Sequence, residues 1–535
     1  MMQTHHTLKR TLALVLAVGL LSGCMTGGQS SSPESSTPPI RPSPVAAVHP
    51  TTARLPWLSS DTLNQFTCKT LQNYYLAGLL CDPLVALDKD NKPVTRLALA
   101  VSVSNTGASY VITLRSDAVC SDGSPLTADD LLYSLELARK SPRFAPGLAG
   151  VTQAVAQNDT TVVITLEKPD LLFERSLVFP VVKVDTGEEA IPTGVGRFRA
   201  NLSANRLERN ESYYQPVKNM EQLFLVETDS LEAQSYSLME GTIDLMFSDL
   251  QNELSLGLGA SYRQIPLSNL VYLGVNTNLL GTDVRLRQAL SGLIRREELA
   301  RRAYSGFAAV TSLPISPLSA ATALSAADLE VNVKRQSDVL EAVGWKADEA
   351  GIRHRAASPT QRQTPPVAPE PPSVPPVPGQ KNLAALPLDG LELLVNTESA
   401  ERSTAADMVA AMLREAGLPV TVTALPFAQY QARLTAGEYQ LCLAEQRMPY
   451  NMDISRLVLP EYSPIPGVPL IPALTTRFDS TRAGRTEQAA LETLLREQLP
   501  VIPLLFRRGI LCFSRDFSVN IVATEQDIFY NINEW

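Results

Sequence analysis

Along most of the chain, short β-branched runs alternate with segments whose apolar residues recur every three or four positions. Tyr110-Val111-Ile112-Thr113-Leu114 and Thr161-Val162-Val163-Ile164-Thr165-Leu166 read as strands. Asp122-Gly123 marks a turn, and Thr127-Ala128-Asp129-Asp130 opens a helix with a capping-box variant. That helix carries Leu131, Leu132, Leu135 and Ala138 on its apolar face. Asp283 caps a second helix, with Leu286, Ala289, Leu290 and Leu293 facing inward. Further helices are expected near 334–343 before Gly344, near 402–416 before Gly417, and near 486–498 before Pro500. Strands and helices in alternation imply a mixed α/β chain of at least two lobes.

Two segments break the pattern. Residues 25–56 hold seven prolines among many Ser, Thr and Gly, and residues 356–380 hold nine prolines in 25 positions. Neither has the apolar content to bury a core, so the first reads as a flexible linker and the second as a disordered surface insertion. At the start, Lys9 and Arg10 precede the apolar stretch Thr11–Leu21, which is too short for a stable span. Leu21-Ser22-Gly23-Cys24 follows and resembles a bacterial lipobox, which implies cleavage before Cys24 and a lipid on its sulfur.

Composition narrows the function. The 535 residues are 44% hydrophobic and 19% charged, ample for folded cores, and no apolar run reaches the ~20 residues of a spanning helix. The net charge of -9, without a long Lys/Arg run, disfavours nucleic acid as a partner. Only four histidines occur, His5, His6, His49 and His354, all in or beside the irregular segments. Ser-His-Asp and Cys-His nucleophile systems and the usual zinc sites are thereby disfavoured, and the chain reads as a non-enzyme without a cofactor. Cys68, Cys81, Cys120, Cys442 and Cys512 remain after Cys24, an odd number whose pairing the sequence leaves open.

The ordered motifs resemble extracellular solute-binding proteins of family 5, the peptide-binding receptors of ABC importers. Tyr110–Arg115 followed by Ser121-Asp122-Gly123-Ser124-Pro125-Leu126-Thr127-Ala128-Asp129-Asp130 is similar to that family's "YtFtLR…SDGtPlTAeD". Gly194-Val195-Gly196-Arg197-Phe198 resembles its "GTGPY" turn, and Arg209-Asn210 with Tyr213 and Tyr214 its "RN–Y" step. Gly241-Thr242-Ile243-Asp244, Asn276, Asp283-Val284-Arg285-Leu286-Arg287-Gln288-Ala289-Leu290 and Ala342-Val343-Gly344-Trp345 follow in the family's order.

The resemblance implies a two-lobed periplasmic-binding-protein-like clamp of type II that closes on solute and docks on an ABC permease. The implied layout is a signal peptide at 1–23, a linker at 24–56, a first lobe at 57–66, 186–266 and 506–535, an accessory subdomain at 67–185, and a second lobe at 267–505. It implies a peptide or other small solute as ligand, held by Asn64, Gln65, Phe66 and Thr67 from one side and by Glu445, Gln446, Arg447 and Tyr450 from the other. Tyr272 and Asp453 complete the candidate set. Relatives often carry a Trp and an Ala-Asp-Tyr in the second segment, the aspartate holding the peptide's α-amino group. Here Gln446 replaces the Trp, Pro449 replaces the Asp, and Tyr450 is retained. The expected location is the outer face of the cell membrane, tethered by the lipid. A non-transport lipoprotein acting as sensor or docking module is the alternative, and Arg285 and Arg287 are expected on a solvated or salt-bridged face.

Overall fold

The computed structural model describes residues 50–251, 261–355, 390–514, 517 and 519–535. The expected signal peptide, Cys24, the start of the linker and the Pro-rich insertion 356–380 lie outside the described residues. Among those described, no helix is long and apolar enough to cross a membrane.

Alternating burial places the two β-branched runs where their pattern requires. Ser109–Leu114 and Thr161–Leu166 pair antiparallel, with Tyr110, Ile112, Leu114, Val162, Ile164 and Leu166 turned inward. Ala98–Val103 and Val151–Asn158 flank them in a four-stranded sheet. The helix Ala128–Lys140 covers the inner face with Leu131, Leu135 and Ala138, while Leu132 is only half-buried. Its capping box is complete, with Thr127 and Asp130 each bonding the other's backbone N–H.

This subdomain shares one core with a second sheet in which Thr52–Trp57 runs parallel to Gln222–Glu227, followed by Arg206–Arg209 and Phe198–Asn201. Thr52–Pro56 therefore belongs to the folded body rather than to the linker expected there. Ala53 and Leu55 are buried, and Pro56 is tolerated because the strand lies at the sheet edge.

The second sheet system has seven strands. Its path runs through Leu245–Ser248, Ile502–Phe513, Ser261–Val275, Leu441–Arg447, Leu391–Asn396 and Val420–Leu425, with Ala308–Val310 beside Ile502–Phe513. Ala400–Glu415 is the crossover helix between the parallel strands Leu391–Asn396 and Val420–Leu425. Apolar clusters fill both faces of this sheet. Helices Val333–Ala342, before Gly344 at φ 94°, and Gln488–Gln498 form close to their expected places. All five described cysteines are unpaired, and burial pushes their thiols up, Cys68 and Cys120 to about 11 and Cys442 and Cys512 to about 12.

The two longest strands tie the lobes together. Ser261–Val275 begins in the first core with Ile265 and Leu267 and continues into the second with Leu270 to Val275. Ile502–Phe513 returns antiparallel beside it, and the register shifts between Pro266 and Leu270, at the passage from one core to the other. A bulge there frees backbone groups from the ladder and gives a place to bend.

Most of the family-like motifs turn out to be scaffold. Arg287 is buried and donates to the carbonyls of Gln498 and Leu499, which end the helix Gln488–Gln498, while Arg285 stays exposed on Asp283. Asn210 Nδ2 donates to the Gly196 carbonyl at 2.8 Å, and Arg197 pairs with Asp527 at 2.9 Å. Asp82 accepts the phenols of Tyr213 and Tyr214 at 2.5 and 2.7 Å. Asp244 receives Arg54, tying its turn to the first strand. Glycine is required at 196 because an added Cβ would collide with the Leu79 and Leu80 carbonyls. Gly196→Ala is expected to destabilise the chain by about 1–3 kcal/mol, the range for overpacking, as a lower denaturant midpoint at unchanged slope.

Candidate ligand cleft

The two long strands pass from one core into the other, and the residues expected to line a cleft fall into two groups. In the first-lobe segment, Asn64 is fully buried and donates to the carbonyls of Gly187 and Glu189 at 2.9 and 2.8 Å, while its Oδ1 accepts the Phe66 N–H. Its side chain is a turn staple. Gln65 donates to the Tyr74 carbonyl at 3.2 Å, and Phe66 stacks edge-on to Phe144 at 6.0 Å. Thr67 is exposed, its hydroxyl 3.0 Å from that of Thr62.

On the other side, Leu441–Arg447 is buried through Ala444, with Leu441 and Leu443 in one core and Cys442 and Ala444 in another, and it opens toward solvent from Glu445 to Arg447. Glu445 turns into a buried charge cluster: Arg402 reaches it at 2.8 Å, Arg507 at 3.1 Å and Asn269 at 2.7 Å. Burial opposes its ionisation, but Arg507 and Arg402 outweigh burial and hold the carboxyl below its ordinary value. Tyr272 is 6% exposed in the second-lobe core, where burial raises its phenol. It borders a pocket of about 190 Å³ with Gln446, Phe427 and Tyr430. Asp453 accepts the Ser455 N–H at 2.9 Å and so opens the short helix Ser455–Val458. Pro449 packs toward Gly147, where a Cβ would lie 3.9 Å from the proline ring and 3.0 Å from Ser176 Oγ.

Arg447 and Tyr450 meet the first lobe. Arg447 donates to the Tyr450 hydroxyl at 3.0 Å and approaches the Glu525 carboxylate at 3.3 Å. Glu525 also accepts the N–H and hydroxyl of Ser268, at the hinge bulge, both at 2.9 Å. Tyr75 donates to the Glu525 carbonyl at 3.0 Å and packs edge-on to Tyr74, over which Arg143 lies at 3.8 Å. The arginine keeps 38% of its side-chain surface open to solvent while protein closes around it, as befits the wall of a cleft. Beside this cluster lies a cavity of about 210 Å³, with Asp88, Ser268, Tyr450, Thr524, Glu525 and Gln526 in its wall. An apolar cavity of 150 Å³ accommodates benzene, so this space suits a small polar solute.

Sequence reasoning named Arg447 and Tyr450 as candidates but not Glu525, Ser268 and the paired tyrosines, which the structure brings close to them. Glu525 sits in the stretch Thr524-Glu525-Gln526-Asp527, which has no local pattern, and only the return of the C-terminus to the first lobe brings it to the cleft. Among the described residues, no group of three or more His, Cys, Asp or Glu is placed to hold a metal ion. Replacing Glu445 with Gln strands two buried guanidinium groups, at an expected cost of about 3–5 kcal/mol. A carboxyl held below its unfolded value of about 4.5 stabilises above that pH, and the contribution is lost as pH falls through the lowered value. The acid limb of a melting-temperature profile should therefore be shallower in Glu445→Gln than in the parent chain.

The sequence matches the profile of the bacterial extracellular solute-binding proteins, family 5 Middle, over residues 92–457. It is 24% identical over 294 residues to the oligopeptide-binding protein AppA of Bacillus subtilis, covering 48% of this chain and 53% of that one. It is also 24% identical over 292 residues to the dipeptide-binding protein of Lactococcus lactis, covering 45% and 53%. The chain thus spans about half the length of these curated relatives. Its fold is similar to NikZ of Campylobacter jejuni, solved with Ni(L-His), with a TM-score of 0.62, 18% identity, and coverage of 91% of this chain and 99% of that one.

Proposed function

Because the chain belongs to the bacterial extracellular solute-binding proteins of family 5, we propose that it captures a peptide or peptide-like solute between its lobes and hands it to an ABC permease. The single observation that carries this reading is an interlobe cavity walled by Tyr450 from one lobe and by Ser268 and Glu525, with Arg447 and Tyr75 in contact with Glu525 beside it. Paired charges and hydrogen-bonding groups in a cleft with aromatic walls suit the ends and main chain of a short peptide. Glu445 and Asp453 are committed within their own lobe and Pro449 has no carboxylate. The solute's carboxylate then meets Arg447, and neither Glu445 nor Asp453 is free to hold an α-amino group. The names of the relatives, oligopeptide- and dipeptide-binding, support peptide over other solutes.

Thermal-shift screening of a peptide library against the purified chain, followed by calorimetry on the hits, tests the reading. Short peptides are expected to raise the melting temperature, and Arg447→Ala is expected to weaken their binding about tenfold or more, the worth of a charge-assisted hydrogen bond. A library without a single stabilising peptide would sink the proposal. The second reading, a docking or sensing lipoprotein of the same fold, draws on the direct bonds that already join the lobes, such as Asn91 to Ser319 at 2.8 Å.

The proposed place of work is the outer face of the cell membrane, with a lipid on Cys24 as tether. One thioether-linked diacylglycerol holds a protein at a bilayer without a spanning helix. Cells fed an alkyne fatty acid should label the parent chain, while Cys24→Ser should be unlabelled and released from the membrane fraction. Equal labelling of both would refute the anchor.

A further inference from the structure

The rim of the cleft carries a fitted joint between the accessory subdomain and the second lobe. On one side is the turn 168–172, held rigid in its own subdomain. The Asp170 N–H donates to the Gly107 carbonyl at 2.9 Å, the Asp170 carbonyl accepts the Tyr110 hydroxyl at 2.6 Å, and Asp170 Oδ1 caps the Leu172 N–H. On the other side is the end of the helix Pro472–Arg482.

The two sides interlock through backbone, charge and shape together. The Leu171 N–H donates to the Arg482 carbonyl at 2.9 Å. Asp170 Oδ2 receives the Arg482 guanidinium and, at 3.3 Å, the Asn451 amide, and Arg482 in turn donates to the Asn451 carbonyl. The Leu171 side chain reaches Gly484, where any Cβ would collide with it. Lys168 adds an ion pair to Asp479 at 3.0 Å and lies over the Tyr462 ring at 5.7 Å. Asp170 and Arg482 keep only 15% and 8% of their side-chain surfaces exposed, so water has been displaced from the joint.

We propose that this joint is an intrinsic closure latch, which holds the lobes together in the absence of solute. These bonds run directly between protein groups of the two sides. Solute then enters through the minor open form. Its apparent affinity is reduced by the fraction of molecules that are open, and the latch sets that fraction. The inference concerns the chain alone and holds for whatever solute it carries.

The test uses the chain freed of solute by unfolding in guanidinium chloride, exhaustive dialysis and refolding. Arg482→Met leaves Asp170 buried without its cation, the costly side of such a pair, so the closed form loses ground while the open form, with Asp170 in water, does not. Small-angle scattering should show a larger radius of gyration for Arg482→Met than for the parent. Exchange at the Leu171 amide should be at least about tenfold faster in the variant. Leu171→Ser, which withdraws the apolar side chain and leaves every charge in place, should move both readouts in the same direction. Asp170→Asn combined with Arg482→Met should fall back toward the parent. Equal radii for parent and Arg482→Met at full folding, or an unprotected Leu171 amide in the solute-free parent, would overturn the latch.

Discussion

Everything about the cleft depends on two antiparallel strands that belong to both lobes at once. A sheet that runs through a hinge cannot shear, because a slip of one residue would turn every core side chain toward solvent. The ladder leaves regular register between Pro266 and Leu270 and again between Val271 and Tyr272, which are the places where it can bend. The charge cluster beside it serves the same end. Asn269 comes from the outgoing strand, Arg507 from the returning one and Glu445 from their neighbour, so one carboxylate fixes three strands in register. Ser268, one residue away, hands the hinge directly to Glu525 in the cleft.

This arrangement also explains why charged side chains in the family-like segments divide into two roles. Those that project from the sheet into the lobe, such as Glu445, neutralise other protein charges. Those at strand ends and in the loops after them, Arg447 and Tyr450, reach across to the other lobe. Position along the chain decides this: Glu445 and Arg447 are two residues apart and share a strand face, but Arg447 ends the strand and Tyr450 lies in the loop beyond it.

What could be read in the sequence was local. Thr127 and Asp130 specify a helix start whatever surrounds them, and β-branched alternation at 109–114 and 161–166 specifies one buried face. Two lobes followed from the order of the motifs. Thr52–Trp57 was hidden because prolines and polar residues dominate its surroundings, and its burial comes only from pairing with a strand some 170 residues away. Arg287 looked like a solvated or salt-bridged residue, since the carbonyls it caps lie more than 200 positions downstream. Glu525 and the Asp170–Arg482 pair were invisible for the same reason: they are juxtapositions of distant segments and carry no local signature.

The five unpaired cysteines have a consequence for life outside the cytoplasm, where this family works. Disulfide chemistry runs through the thiolate, and its rate follows the thiolate fraction. A thiol held near 12 exposes only about one molecule in 10⁵ to that chemistry at neutral pH. Burial therefore slows the oxidation of Cys442 and Cys512 in the folded chain. Before folding all of them are ordinary thiols, so oxidation is fastest in the interval before burial.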